Sequence, residues 1–254
     1  MESLPVIAVT FGSAITNVLA APIVGIGLNL GTGVNLDVGS GDRTLSINCD
    51  LFNKALDAVD ELALFPKTNR TRDPCDNFIG RAKNVDGMTN TEAATLLTHS
   101  LWETGGFNNL EEKKCQTQPC LQYNNKGDSD FHPVPGKNYF GRGYIQLTYP
   151  YNYGGCSQKL FNDNRLLENP DIVSSDINVA WDSAFWYWSE NIVKKPEYKK
   201  GHFGTSTNVV NGGLECRGDP EGTDKAKKRF KVYTKILAVF SPDEEPIEDG
   251  CYDE

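Results

Sequence analysis

Seven cysteines, at positions 49, 75, 115, 120, 156, 216 and 251, constrain this chain more than any other feature. They form no C-x-x-C pair and have no histidine at zinc-finger spacing, which argues against a structural zinc site. Disulfides made in an oxidising compartment are the better reading, and an odd count leaves one thiol over. The first residues decide that compartment, and they favour export. From Leu4 to Ala20 it carries no Lys, Arg, Asp or Glu, and Val18-Leu19-Ala20 offers small or modest residues to a signal peptidase, so residues 1–20 read as a signal peptide. Glu2 in place of a basic n-region, and Thr10, Ser13, Thr16 and Asn17 within the apolar run, keep a buried N-terminal helix as the alternative. Gly25, Gly27, Gly31 and Gly33 then stop any continuation short of the ~20 apolar residues of a membrane span. These glycines do not make G-x-G-x-x-G, so residues 21–42 are expected to be a lead-in or propeptide rather than a nucleotide loop.

From residue 43 to 241 the pattern is that of one mainly α-helical domain. Leu51, Leu56, Val59, Leu62 and Leu64 form an apolar stripe that Pro66 ends. Thr89-x-x-Glu92 has capping-box form, and Ala93, Ala94, Leu96, Leu97, Leu101 and Trp102 follow at helical spacing. Glu103 closes that helix, and Gly105-Gly106 stops it. Residues 107–140 read as a long loop region with a small hairpin, of the kind that lines a cleft. Helical patterning returns over 179–188 and 224–240, and residues 242–254 read as an acidic, solvated tail that Cys251 can tether. Asn69-Arg70-Thr71 is a glycosylation sequon if the chain is exported.

The chemistry is narrowed by exclusion. A formal net charge of −9 opposes binding to nucleic acid or to an anionic membrane, and favours a neutral or cationic substrate. Histidines at 99, 132 and 202 are too few and too scattered for a metal centre, and no G-x-S-x-G elbow is present. What remains is a pair of carboxylates. Glu103, beside Trp102 and two glycines, sits where desolvation raises a carboxyl's pKa, as a general acid needs. Glu112 follows in the loop. Inverting glycoside hydrolysis uses one protonated and one ionised carboxyl roughly 6.5 to 9.5 Å apart, leaving room for a water. The competing reading makes Glu111-Glu112-Lys113-Lys114 a solvated charge run. In the segment 140–153, Tyr144, Tyr149, Tyr151 and Tyr153 alternate with Gln146, Thr148 and Asn152, a mixture suited to sugar faces and hydroxyls. A tyrosine-rich core strand with turns explains the same residues, and Trp181, Trp186 and Trp188 read as core.

Glu103-Thr104-Gly105-Gly106-Phe107, Phe140-Gly141-Arg142-Gly143-x-Ile145-Gln146-Leu147-Thr148-x-x-Tyr151-Asn152-Tyr153, Asn169-Pro170-Asp171, Ala184-x-Trp186-x-Trp188 and Asn211-Gly212-Gly213-Leu214-Glu215-Cys216 occur in that order. In this order they resemble the successive signatures of glycoside hydrolase family 19 chitinases. The resemblance implies a lysozyme-like, two-lobed helical fold with a deep cleft, and endo-cleavage of β-1,4-linked N-acetylglucosamine polymers with inversion. It implies that Glu103 is the general acid and Glu112 the base, at the nine-residue spacing of shorter bacterial-type members. One residue of gap placement would exchange Glu112 for Glu111. Thr148 matches the residue that helps hold the attacking water, and Gln146, Asn152 and Asn211 match substrate contacts, with Tyr151 beside them. Glu215 and Arg229 match a buried pair that tunes the acid, and Cys216 with Cys251 a C-terminal disulfide. Cys115 with Cys120 suits a small loop, while pairing among Cys49, Cys75 and Cys156 stays open. Trp102, Tyr144 and Pro150 depart from the family pattern, which bears on subsites more than on the reaction. The expectation is a secreted, monomeric enzyme with chitin or chitooligosaccharides as partner and with neither metal nor cofactor. A peptidoglycan hydrolase of lysozyme or endolysin type, or a catalytically silent chitin-binding protein, are the alternatives.

Overall fold

The computed structural model describes residues 45–124 and 130–252. The expected signal peptide and the Gly-rich stretch over 21–42 lie outside the described residues. In chain order the helices are α1 (Cys49–Asp60), α2 (Pro74–Ala82), α3 (Asn90–Thr104), α4 (Pro150–Phe161), the single turns α5 (Arg165–Glu168) and α6 (Ile172–Ser175), α7 (Ile177–Tyr187), α8 (Phe203–Glu215) and α9 (Pro220–Phe240). The long α9 packs on α1, α3 and α8, while α2 and α4 pack on α7. No helix among the described residues is long and apolar enough to cross a membrane.

The core is organised by α3. The Thr89 hydroxyl accepts from the Glu92 backbone N–H at 3.3 Å, and the Glu92 carboxylate accepts from the Thr89 N–H at 3.1 Å, so the reciprocal cap read from sequence forms. Every residue from Glu92 to Leu101 is buried, so this helix is enclosed all round rather than amphipathic. It ends where Gly105 turns left-handed at φ 58° and the Gly106 N–H returns to the Leu101 carbonyl at 2.8 Å. A Cβ on Gly106 would lie 2.9 Å from the Phe65 ring at a φ of +76°, so close approach and conformation both require glycine there.

Other local expectations are modified. The stripe from Leu51 stays helical only to Asp60; Ala63 takes φ 51°, and Leu62 and Leu64 reach the core from the turn that follows. Among the described residues, 107–124 and 130–140 are irregular, with short turns at Lys113–Gln116 and Leu121–Tyr123. Among these residues the expected hairpin reduces to isolated antiparallel bridges, Glu111 with Arg142 and Arg142 with Leu147. Tyr144 and Tyr153 are core, not cleft, and the 140–153 segment runs into α4 rather than forming a strand. Tyr144 stacks on Trp181 with ring centroids 3.7 Å apart, so that departure from the family pattern thickens the core. Trp181 and Trp188 are fully buried, as expected, whereas Trp186 is only half-buried against the core.

Disulfides join Cys49 to Cys75, Cys115 to Cys120 and Cys216 to Cys251, and Cys156 is the free thiol, buried. The first ties α1 to α2. The last tethers the acidic tail to the end of α8. That tail is exposed over 242–245 but is held further on, where the Phe203 N–H donates to the Ile247 carbonyl at 2.8 Å and His202 meets Asp249 at 2.6 Å.

Candidate active site

Glu103 and Glu112 line one cleft of about 560 Å³. The last turn of α3 supplies Glu103, and the segment just before the Cys115–Cys120 disulfide loop supplies Glu112. Gln146, Thr148, Tyr151 and Asn152 reach the same cleft from the Gly-Arg-Gly segment and the start of α4, and Asn211 from α8.

The surroundings of Glu103 are charged but dry. Its Oε1 lies 2.6 Å from an amino group of Arg229, whose side chain is 1% exposed. That same amino group donates to Glu215 Oε1 at 2.6 Å, and Arg229 Nε donates to Glu215 Oε2 at 3.1 Å, a two-point clamp of the sort guanidinium and carboxylate favour. Asn211 Nδ2 donates to Glu215 Oε1 at 2.8 Å. To make that bond Asn211 leaves helical geometry, with φ −147° and ψ 29° inside α8. The Glu103 contact lacks hydrogen-bond alignment, so its Oε1 is enclosed without a hydrogen-bond donor. Burial pushes the Glu103 carboxyl above its ordinary range; the Arg229 charge pulls it back, the Glu215 charge pushes it further up, and the close but poorly aligned Arg229 contact pulls it down least. Trp102 lies under the guanidinium at 5.5 Å, and so supports Arg229 from outside the acid's own contacts.

Glu112 is held differently. Its N–H donates to the Gly141 carbonyl at 2.9 Å, and its carboxylate accepts from the Tyr123 hydroxyl at 3.0 Å. Burial first, then the hydrogen bond and charge of Glu112, push the Tyr123 phenol up to about 12, which keeps it a donor. The charge run is thereby split: Lys113 and Lys114 are exposed, whereas Glu111 and Glu112 are half-buried on separate partners. Glu111 accepts from Ser174 Oγ at 2.6 Å and does not line the cleft.

Thr148 Oγ donates to the Gln146 carbonyl at 2.7 Å, and Asn152 Nδ2 donates to the Thr148 carbonyl at 2.8 Å. Gln146 takes φ 51° and packs against Gly141, where a Cβ would come within 2.8 Å of its amide oxygen. The segment that carries Gln146 and Thr148 is therefore folded on a glycine the motif provides. Arg142 is structural: it reaches Asp171 at 2.7 Å and the Asn138 carbonyl at 2.8 Å. Tyr149 and Tyr151 stack at 5.5 Å on the cleft wall.

Sequence reasoning missed Tyr123, Tyr187 and His99. His99 is four residues before Glu103 on the same helix, a usable signal, but a histidine on an apolar face is ordinarily core. Tyr123 and Tyr187 carry no sequence signal of their own. For metals, the clusters among the described residues are Cys49, Cys75 and Asp76, and Glu112, Cys115 and Cys120. In each, both cysteines are in a disulfide and neither offers the thiolate a metal takes.

A family model described as chitinase class I matches residues 75–201. Basic endochitinase CHB4 of Brassica napus is 36% identical over 159 residues, covering 61% of this chain and 56% of its own length. Chitinase 3 of Oryza sativa subsp. japonica is 32% identical over 185 residues, covering 61% and 57%. The chain thus spans little more than half the length of these curated relatives. Among solved structures, the family GH19, class IV chitinase from Zea mays matches with a TM-score of 0.52 and 22% identity, over 83% of this chain and 89% of that one. Chitinase C from Streptomyces griseus matches at 0.50 and 26%, over 78% and 72%.

Proposed function

We propose, since this chain belongs to family 19 of the glycoside hydrolases, the class I chitinases, that it is a secreted endochitinase which cleaves β-1,4 links between N-acetylglucosamine units with inversion. The observation that carries the reading is the unequal pair of acids in one cleft: Glu103 enclosed and pushed toward its protonated form, Glu112 accepting a hydrogen bond from a phenol. Glu103 passes its proton to the glycosidic oxygen as the bond from that oxygen to C1 breaks. Glu112 takes a proton from water as the water oxygen bonds to C1 from the opposite face. Thr148 donates to the Gln146 carbonyl, so its oxygen accepts from that water, whose two protons are then both engaged and whose lone pair faces C1. Gln146, Asn152 and Asn211 meet sugar hydroxyls and acetamides, and Tyr151 offers an aromatic face. The Glu215–Arg229 clamp balances the acid. Three disulfides support an oxidising, extracellular location.

Time-resolved product analysis on an N-acetylglucosamine hexamer, with anomer detection, tests this directly. Internal cleavage giving fresh α-anomer is expected. A β-anomer as first product sinks the inverting mechanism. No cleavage of the hexamer by a folded sample that degrades bacterial walls replaces chitin with peptidoglycan as substrate.

A further inference from the structure

The buried charge cluster contains one titratable group that the proposed reaction leaves unused. His99 Nδ1 lies 3.0 Å from the second amino group of Arg229, and His99 Nε2 lies 2.7 Å from Ser206 Oγ, with no exposure of the ring to solvent. An arginine in a protein only donates, so Nδ1 has to be the acceptor. The proton of a neutral ring is then on Nε2, which donates to Ser206 Oγ, and that hydroxyl donates in turn to the Phe203 carbonyl at 2.7 Å. The donors run one way, from Arg229 through His99 and Ser206 to a backbone oxygen, and only this tautomer fits. A protonated ring would set N–H against N–H and cation against cation. In agreement, burial and the Arg229 charge drive His99 well below the ordinary imidazole range.

A guanidinium in contact with a general acid ordinarily works against it, because a full charge-assisted hydrogen bond favours the carboxylate. In this cluster the aligned bonds of Arg229 go to Glu215 on one edge and to His99 on the other, and Glu103 receives a contact at 2.6 Å without hydrogen-bond alignment. We propose that His99 is a positioning residue: by accepting one edge of the Arg229 guanidinium it fixes the group's rotation and denies Glu103 an aligned hydrogen bond, so that the acid keeps its proton.

The ionisable groups that bear on Glu103 are Arg229 from α9, Glu215 from α8 and Tyr187 from α7 in the same cleft. Those packed against His99 are Arg229 alone among the charged ones, with Ser206 and the Phe203 ring, which stacks on the imidazole at 5.1 Å. His99→Phe keeps the stack and the volume and removes the acceptor. The freed edge of Arg229 can then shift toward Glu103, whose Oε1 already lies 2.6 Å from the neighbouring amino group and lacks an aligned donor. His99→Asn places an amide oxygen where Nδ1 stood and keeps the acceptor.

The inference rests on Glu103 being the acid, yet its first readouts need no substrate. Carbon-13 titration of the Glu103 carboxyl in His99→Phe should show a midpoint lower by about one pH unit, and in His99→Asn a midpoint near that of the wild type. On the hexamer, His99→Phe should lose about tenfold in kcat at neutral pH, with KM nearly unchanged and the alkaline limb moved to lower pH. Nitrogen-15 spectra of the wild type, with only His99, His132 and His202 to assign, should show His99 as the Nε2–H tautomer, unprotonated throughout the stable pH range. An unchanged or raised Glu103 midpoint in folded His99→Phe overturns the proposal. Should that variant not fold, an Nδ1–H tautomer or an ordinary His99 titration in the wild type overturns it equally. A wild type that leaves chitin uncut while both spectra behave as expected removes the chitinase reading and not this one.

Discussion

Replacing Glu103 by Gln should lower turnover of chitin oligomers by between about 10² and 10⁴, the range that loss of a positioned general acid gives, while oligomer binding persists. Glutamine keeps the shape and removes the transferable proton, so the loss falls on kcat. The surroundings described above sharpen the expectation. Arg229 remains clamped to Glu215 in the variant, so no buried cation is orphaned and the fold should survive. Stability should in fact rise at neutral pH. Burial raises the Glu103 carboxyl above its ordinary range. Between the ordinary value and the raised one the folded chain therefore holds a proton that the unfolded chain has released. Stability then falls as pH climbs through that window, and the deficit persists above it. Denaturant unfolding at a series of pH values should show this slope in the wild type and its flattening in Glu103→Gln. Near-wild-type turnover by a folded Glu103→Gln protein ends the assignment of the acid.

Glu112→Gln is expected to cost about 100-fold or more in kcat, and Glu111→Gln far less. The two residues are neighbours in sequence and carry the same charge, so bulk electrostatics cannot account for a difference between them. Geometry can. Glu112 lines the cleft with one oxygen on the Tyr123 hydroxyl, whereas Glu111 serves as an acceptor for Ser174 outside it. Glutamine at 111 retains an oxygen for that serine. Kinetics on the hexamer for the two single variants decide the matter: a Glu111→Gln loss as large as that of Glu112→Gln moves the base by one residue.

The helix that carries the acid was legible because its signals are local. Thr89, Glu92, Gly105 and Gly106 specify its two ends by hydrogen bonding and backbone conformation, which do not depend on distant parts of the chain. Helix α8 was not legible in this way, since Asn211-Gly212-Gly213 reads as a turn. Packing against α9 and the Asn211–Glu215 bond overrule that preference at the price of a local kink. Proline at the first turn of α2 and α4 likewise hides starts that a periodicity reading passes over. The tyrosines of 140–153 divided between both readings, with Tyr149 and Tyr151 on the cleft and Tyr144 and Tyr153 in the core, because a turn breaks the alternation that would have sorted them. What sets Glu112 apart from Glu111 is its Gly141 and Tyr123 partners, which lie across a loop without periodicity. His99 was visible by spacing, but its use depends on Arg229, 130 residues away.

Six of the seven cysteines are joined in pairs, and the seventh, Cys156, faces the core with its thiol driven up by burial, where the reactive thiolate scarcely forms. The chain therefore carries a built-in clock for its own opening. A thiol-specific dye added to the native protein can react only in the moments when the core around α4 is exposed, so the speed of labelling measures how often that part of the domain opens, with no engineered probe and no denaturant.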